Sequence, residues 1–165
     1  MRPPGLRDRL RSARAGRFAP VCQPPGSGRS KGRHPAVSQD VQALVLYRLS
    51  QADEALAAAR AERAAGRRRS AINRAYYAMF YASLALLTSR QVGTSKHSGV
   101  VARVSEHFIK TGLLPAEMGR ALNQAFALRQ KADYREFFEP TPDQVDQVLA
   151  WAAGFLAAAR QLLGS

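Results

Sequence analysis

The stretch RRRSAINRAYYAMFYASLALL, Arg67 to Leu87, decides how this chain folds. At 100° per residue it divides into three strips of one helix. Ile72, Tyr76, Met79, Ser83, Leu86 and Leu87 make a broad apolar face. Ala71, Ala75, Ala78, Ala82 and Ala85 step by four, three, four and three along a seam of small residues. Such a seam lets a second helix approach closely, inside a bundle or across a dimer. The remaining arc gathers Ser70, Asn73, Arg74, Tyr77 and Tyr81 on one side. That arc is either a wet rim, with buried tyrosine rings and a snorkelling arginine, or a polar pocket. In the pocket, Asn73 and Arg74 donate to a phosphate or a ribose.

Working outward, the same period recurs. Val45, Leu49, Ala52, Leu56 and Ala59 share a face upstream, and Gly66 is a natural stop for that first helix. After a loop holding Gly93, Thr94 and Ser95, the residues Val100, Val101, Val104 and Phe108 make a short third face ended by Gly112. Pro115 opens a fourth helix, with Leu122, Ala125, Phe126 and Arg129 along one side. Thr141-Pro142-Asp143-Gln144 has the composition of a capping box with proline at the first helical position. The last helix buries Val145, Val148, Leu149, Ala152, Leu156 and Ala159. No strand-like alternation and no internal repeat is found. The reading is all-α: an antiparallel up-and-down bundle of about five helices.

The charge is uneven. The chain carries 25 Lys/Arg against 12 Asp/Glu, a net of +13. Residues 1–38 hold nine of those cations and one acid, Asp8, and are rich in Pro, Gly and Ser. They are read as a disordered basic tail, because they bury too little to offset their ordering entropy. A phosphate-gripping arm, an organellar leader and an upstream-read start are its alternatives. Residues 39–165, with sixteen cations against eleven acids, are the folded domain. The single cysteine, Cys22, lies in the tail and forms no internal disulfide or Cys-based zinc site. The longest apolar run, Ala75 to Leu87, is too short for a bilayer, and the N-terminus lacks the apolar core of a secretory signal. A cytoplasmic protein with no membrane partner is expected.

The fourth helix offers a second polar group in LRQKADYREFF. Arg129 stands at the edge of the inward face, with Asp133 one turn on and Tyr134 beside it. This is either an intrahelical ion pair or an inward arginine kept for an anion and oriented by Asp133. Among the histidines, His34 is in the tail and His107 on a short amphipathic helix. His97, with Lys96 before it in SKHSG, caps a helix or lends an imidazole to a site. No His/Asp/Glu spacing fits a metal site, and no cofactor is expected.

Four ordered blocks, AINRAYYAMFYASLALL, TSKHSGVV, HFIKTGLLP and LRQKADY, closely resemble the HEPN domain, in its small stand-alone prokaryotic subfamily. The resemblance covers about Gln39 to Leu163. It implies a helical bundle that forms a homodimer and acts beside a minimal nucleotidyltransferase antitoxin, often as the toxin of the pair. Many members are metal-independent endoribonucleases that carry an Arg, four to six residues and then a His. By resemblance, Arg129 is the arginine of that motif. Asp133 and Tyr134 stand where the His would be, and Asn73 and Arg74 take the place of the polar partner. Arg90 and His97 satisfy the motif's length but fall outside its usual location. The reading that results is a toxin-like protein engaging RNA at a dimer cleft. Its site is Arg129, Asp133, Tyr134 and His97 for chemistry, with Asn73, Arg74, Tyr77 and Lys96 for substrate or nucleotide. The alternative is a non-catalytic module that binds a nucleotide or the nucleotidyltransferase, with Tyr134 as acceptor of a nucleotidyl group.

Overall fold

The computed structural model describes residues 35–93 and 96–164. Most of the expected tail, with Cys22 and His34, lies outside the described residues, as do Thr94 and Ser95 of the loop. Five helices follow in order: α1 Pro35–Ala64, α2 Arg68–Ser89, α3 His97–Val104, α4 Ala116–Tyr134 and α5 Pro142–Leu163. A wider π-helical turn, Ser105–Ile109, continues α3. No strand occurs among the described residues.

The helix ends have local causes. At the end of α1, Arg67 N–H reaches Glu62 O and Gly66 N–H reaches Arg63 O, while Gly66 turns left-handed at φ 75°. This double bond pattern terminates a helix, and only glycine adopts that φ without strain. The start of α5 is the capping box expected from its composition. Gln144 N–H donates to Thr141 Oγ1 at 3.2 Å, and Thr141 N–H donates to Gln144 Oε1 at 3.0 Å.

Helix α2 is the centre of the helical bundle and touches each of the other four helices. All of its large apolar face and all five alanines of its seam are buried within this one chain. The seam is therefore occupied by packing inside the bundle. Extra methylenes at such a seam would cost about 1–3 kcal/mol by overpacking. Ser83, the one polar member of the large face, donates to Met79 O at 2.8 Å.

Long-range pairs fix the directions. Arg63 reaches Asp146 at 2.7 Å and Arg160 reaches Asp53, so α1 and α5 are antiparallel. Asn73 meets Asp133 and Tyr76 meets Phe126, so α2 and α4 are antiparallel too. The short α3 departs from strict up-and-down order. Its first residue, His97, lies against Phe80 in mid-α2, while Phe108 lies against Arg90 just past the end of α2. Hence α3 runs parallel to α2, and it starts level with the middle of α2, where His97 lies near Tyr76 and α4.

Candidate functional site at the junction of α2, α3 and α4

The antiparallel pairing of α2 and α4 sets the start of one beside the end of the other. Asn73 Nδ2 lies 3.1 Å from each oxygen of Asp133 and donates to the carboxylate. Arg129, one turn earlier on α4, places Nε 2.8 Å from Asp133 Oδ2. The contact is an ion pair by distance, yet Nε is sealed from solvent and its N–H has no hydrogen-bond partner among the described residues. The proton does not point at the carboxylate, so charge rather than a directed bond holds the pair.

Two tyrosine rings, one from each helix, also hold this arginine. The guanidinium carbon lies 5.8 Å from the ring centre of Tyr77 and 5.8 Å from that of Tyr134, within cation–π range. The Arg129 side chain is only 15% exposed. Its Nε is sealed and unpartnered among the described residues, and no described residue accepts from its two terminal nitrogens. A fixed planar cation whose terminal donors have no acceptor among the described residues suits a carboxylate or phosphate.

His97 completes the group. Its ring stacks on Phe80 at 4.3 Å and stands edge-on to Tyr77 at 5.7 Å. Its Nδ1 is 3.0 Å from the hydroxyl of Tyr76. Burial pushes the Tyr76 phenol well above its ordinary value, so it is neutral and carries its proton. Tyr76 is fully buried and His97 is its hydrogen-bond partner, so the hydroxyl donates to Nδ1. In the neutral ring the proton then sits on Nε2. Burial first, and the charge of Arg129 second, hold His97 below its ordinary pKa. The imidazole is thereby kept neutral, with an N–H donor at Nε2.

Next to this group an open cleft of about 710 Å³ runs between α2 and α4, lined by Asn73, Arg74, Asp133, Tyr134, Arg135 and Glu136 among others. Its arginines differ in role. Arg69 donates to Ala132 O at 2.8 Å and to Arg135 O, tying the end of α4 onto α2. Arg67 pairs with Glu62, and Arg68 donates to Pro140 O at 3.0 Å. The three arginines that open the stretch are thus structural. Arg74 and Arg135 line the cleft with no acceptor for their guanidiniums among the described residues.

The structure therefore brings Asn73, Asp133, Arg129, Tyr134, Tyr77 and His97 into one connected cluster, with Arg74 on the adjoining wall. Lys96 is exposed just before α3 and makes no side-chain contact with the cluster among the described residues. Arg90 is not a partner of His97: its guanidinium lies over Phe108, 5.8 Å from the ring centre. The spacing of Arg90 and His97 in sequence does not bring them together. Sequence reasoning assigned Tyr76 to packing and missed its bond to His97. The signal was present, since a hydroxyl on a fully apolar face needs a partner. Among the described residues no three His, Cys, Asp or Glu side chains gather as metal ligands would.

The fold and the site define a small helical bundle with an arginine clamped by tyrosines beside a polar cleft. Comparison with known proteins narrows that class. Residues 45–162 match the HEPN domain, and the chain belongs to that family. A UPF0332 protein of Thermotoga maritima is 42% identical over 94 residues, 57% of this chain and 71% of that protein. Two Methanocaldococcus jannaschii proteins, each bearing the name "Putative toxin", are also similar. One is 36% identical over 93 residues, spanning 56% of this chain and 63% of that protein. The other is 30% identical over 127 residues, spanning 77% of this chain and 91% of that protein. The similar proteins are bacterial and archaeal, and this chain is a small HEPN protein of the prokaryotic type. No described helix is long and apolar enough to cross a membrane.

Proposed function

We propose that this HEPN protein is a toxin-type protein that engages RNA at the cleft between α2 and α4. The names of its archaeal relatives support the toxin reading. The observation that carries the RNA reading is Arg129: a nearly buried guanidinium, held between two tyrosine rings, whose terminal nitrogens have no acceptor among the described residues. Such a group recognises a phosphate as a pre-oriented fork. Arg74 and Arg135 add cations to a wall that also carries Glu136, and Asn73 holds Asp133 so that it balances Arg129. His97 adds a neutral N–H donor from the α3 side. The protein acts in the cytoplasm as a homodimer, under the control of a minimal nucleotidyltransferase antitoxin.

Of the finer readings, binding has more support than cleavage. A 2′-hydroxyl attack needs a general base, and Nδ1 of His97 is 3.0 Å from the Tyr76 hydroxyl; with Tyr76 as donor there, the ring's own proton occupies Nε2. Asp133 is engaged by Asn73 and Arg129. This favours a second reading as well, a non-catalytic module that binds a nucleotide or its antitoxin. Tyr134, 75% exposed at the cleft wall, is then the acceptor of a nucleotidyl group from a nucleoside triphosphate, with diphosphate leaving.

The test uses the purified full chain with fluorescent single-stranded RNA. Wild type is expected to bind, and Arg129→Ala to bind at least tenfold more weakly with its helical spectrum unchanged. RNA binding that is absent in wild type, or untouched in folded Arg129→Ala, removes the reading. An intact RNA ladder after incubation supports the binding form; cleavage lost in Arg129→Ala and His97→Ala restores the ribonuclease form.

A further inference from the structure

The connection from α4 to α5 contains a feature that the cleft does not use. Phe137 is 97% exposed, a large apolar ring left almost entirely in water. It is three residues from Tyr134, itself 75% exposed. Between them, Arg135 and Glu136 line both the main cleft and a second hollow of about 470 Å³ that also includes Phe137 and Phe138. The two hollows are therefore neighbours that share a wall. Phe138, by contrast, packs against the small core cluster of Ala71, Ile72, Ala132 and Val145. The pair of phenylalanines thus splits its work: Phe138 anchors the connection, and Phe137 is held outward.

We propose that Phe137 is a stacking subsite for an unpaired RNA base of a strand that leaves the cleft over the wall of Arg135 and Glu136. The inference rests on the RNA reading above and names its substrate as single-stranded. An exposed aromatic beside a cationic groove is the arrangement by which proteins hold single strands, because every base has a face to stack and the backbone tracks the charge. The charges fit that division. Arg135 lies on the shared wall, so it faces a backbone leaving the cleft. Glu136 on the same wall repels a second phosphate at Phe137, so a neutral base face, rather than the backbone, belongs there. A paired duplex offers no free base face to the ring.

A protein partner is the rival occupant, since exposed aromatics also anchor interfaces. Of the cleft's three acids, Glu62 and Asp133 are already paired with Arg67 and Arg129, which leaves Arg69, Arg74 and Arg135 against Glu136, and that cationic excess favours RNA. The folded segment is also net positive, with sixteen cations against eleven acids over residues 39–165.

The experiment compares Phe137→Ala, Phe137→Leu and Phe137→Trp in the full chain, with a short single-stranded RNA and a duplex of the same length. A stacked base contributes about 1–3 kcal/mol, or about five- to 150-fold in affinity. Phe137→Ala and Phe137→Leu should each lose at least fivefold for the single strand. Phe137→Trp should retain the affinity, and its added emission should be quenched as RNA binds. Duplex binding should not change among the variants. Leucine working as well as phenylalanine would show a merely apolar contact and overturn the proposal. So would single-strand binding that ignores all three substitutions, or a change confined to self-association or to binding of a protein. A wild type that binds no RNA sinks the functional reading itself; a wild type that binds while Phe137→Ala binds equally sinks only this one.

Discussion

The hydroxyl of Tyr76 stands 3.0 Å from Nδ1 of His97, and Tyr76 has no solvent exposure. This bond joins α2 to the first residue of α3, so it fixes both where the imidazole sits and which nitrogen carries its proton. Phe80, stacked at 4.3 Å, fixes the plane of the ring. In Tyr76→Phe the ring contacts with Phe126 and Phe80 survive and only the donor is lost. Stability should fall by about 0.5–1.5 kcal/mol, the net worth of one hydrogen bond. The more specific readout is the His97 tautomer in nitrogen-15 spectra. Wild type should show one neutral form protonated at Nε2, and Tyr76→Phe a mixture. A single Nδ1-protonated form in wild type would reverse the assignment of donor and acceptor.

The same environment makes a prediction about pH. His97 is held below its ordinary value by burial and then by Arg129, so the folded state binds its proton less readily than the unfolded chain does. The stabilising contribution is fully present above the unfolded value, near 6.5. It is lost as pH falls through that value and on through the lower folded one. His97→Gln keeps an acceptor for Tyr76 and does not titrate. Denaturant midpoints between about pH 7 and pH 5 should fall more steeply for wild type than for His97→Gln. Parallel profiles would place His97 in ordinary solvent.

The three strips of α2 were legible in the sequence because burial along a helix follows its period, and the alanine seam and the large face are buried as spaced. The group Arg129, Asp133 and Tyr134 was legible as a local cluster for the same reason. Its relation to Asn73 came from the family resemblance and not from spacing, since it depends on how α2 and α4 slide past each other. His97 shows the other limit. Its six-residue spacing from Arg90 invited a pairing, whereas the backbone turns back after α2 and delivers it to Tyr76 and Tyr77. Spacing reports neighbours only within one regular element; across a returning loop it carries no distance.

That return begins at Gln91, which allows a last prediction. Val92 N–H bonds Leu87 O and Gln91 N–H bonds Thr88 O, each at 2.9 Å, the same terminating pattern that Gly66 makes after α1. Gln91, however, adopts φ 55° with a side chain attached. Left-handed backbone costs a non-glycine residue about 1–2 kcal/mol through the clash of its Cβ with a carbonyl. Glycine removes that strain but loses about 0.4–1 kcal/mol through the freedom it gives the unfolded chain. Gln91→Gly should therefore raise stability by about 0.5 kcal/mol, and Gly66→Ala, at φ 75°, should lower it by about 1 kcal/mol. Both are read as shifts of the urea midpoint at constant slope. The functional consequence follows from position. A firmer stop at Gln91 leaves the start of α3 where it is, so RNA binding should not change in Gln91→Gly. If the substitution lowers stability, the glutamine side chain holds the return segment by contacts that outweigh its backbone strain.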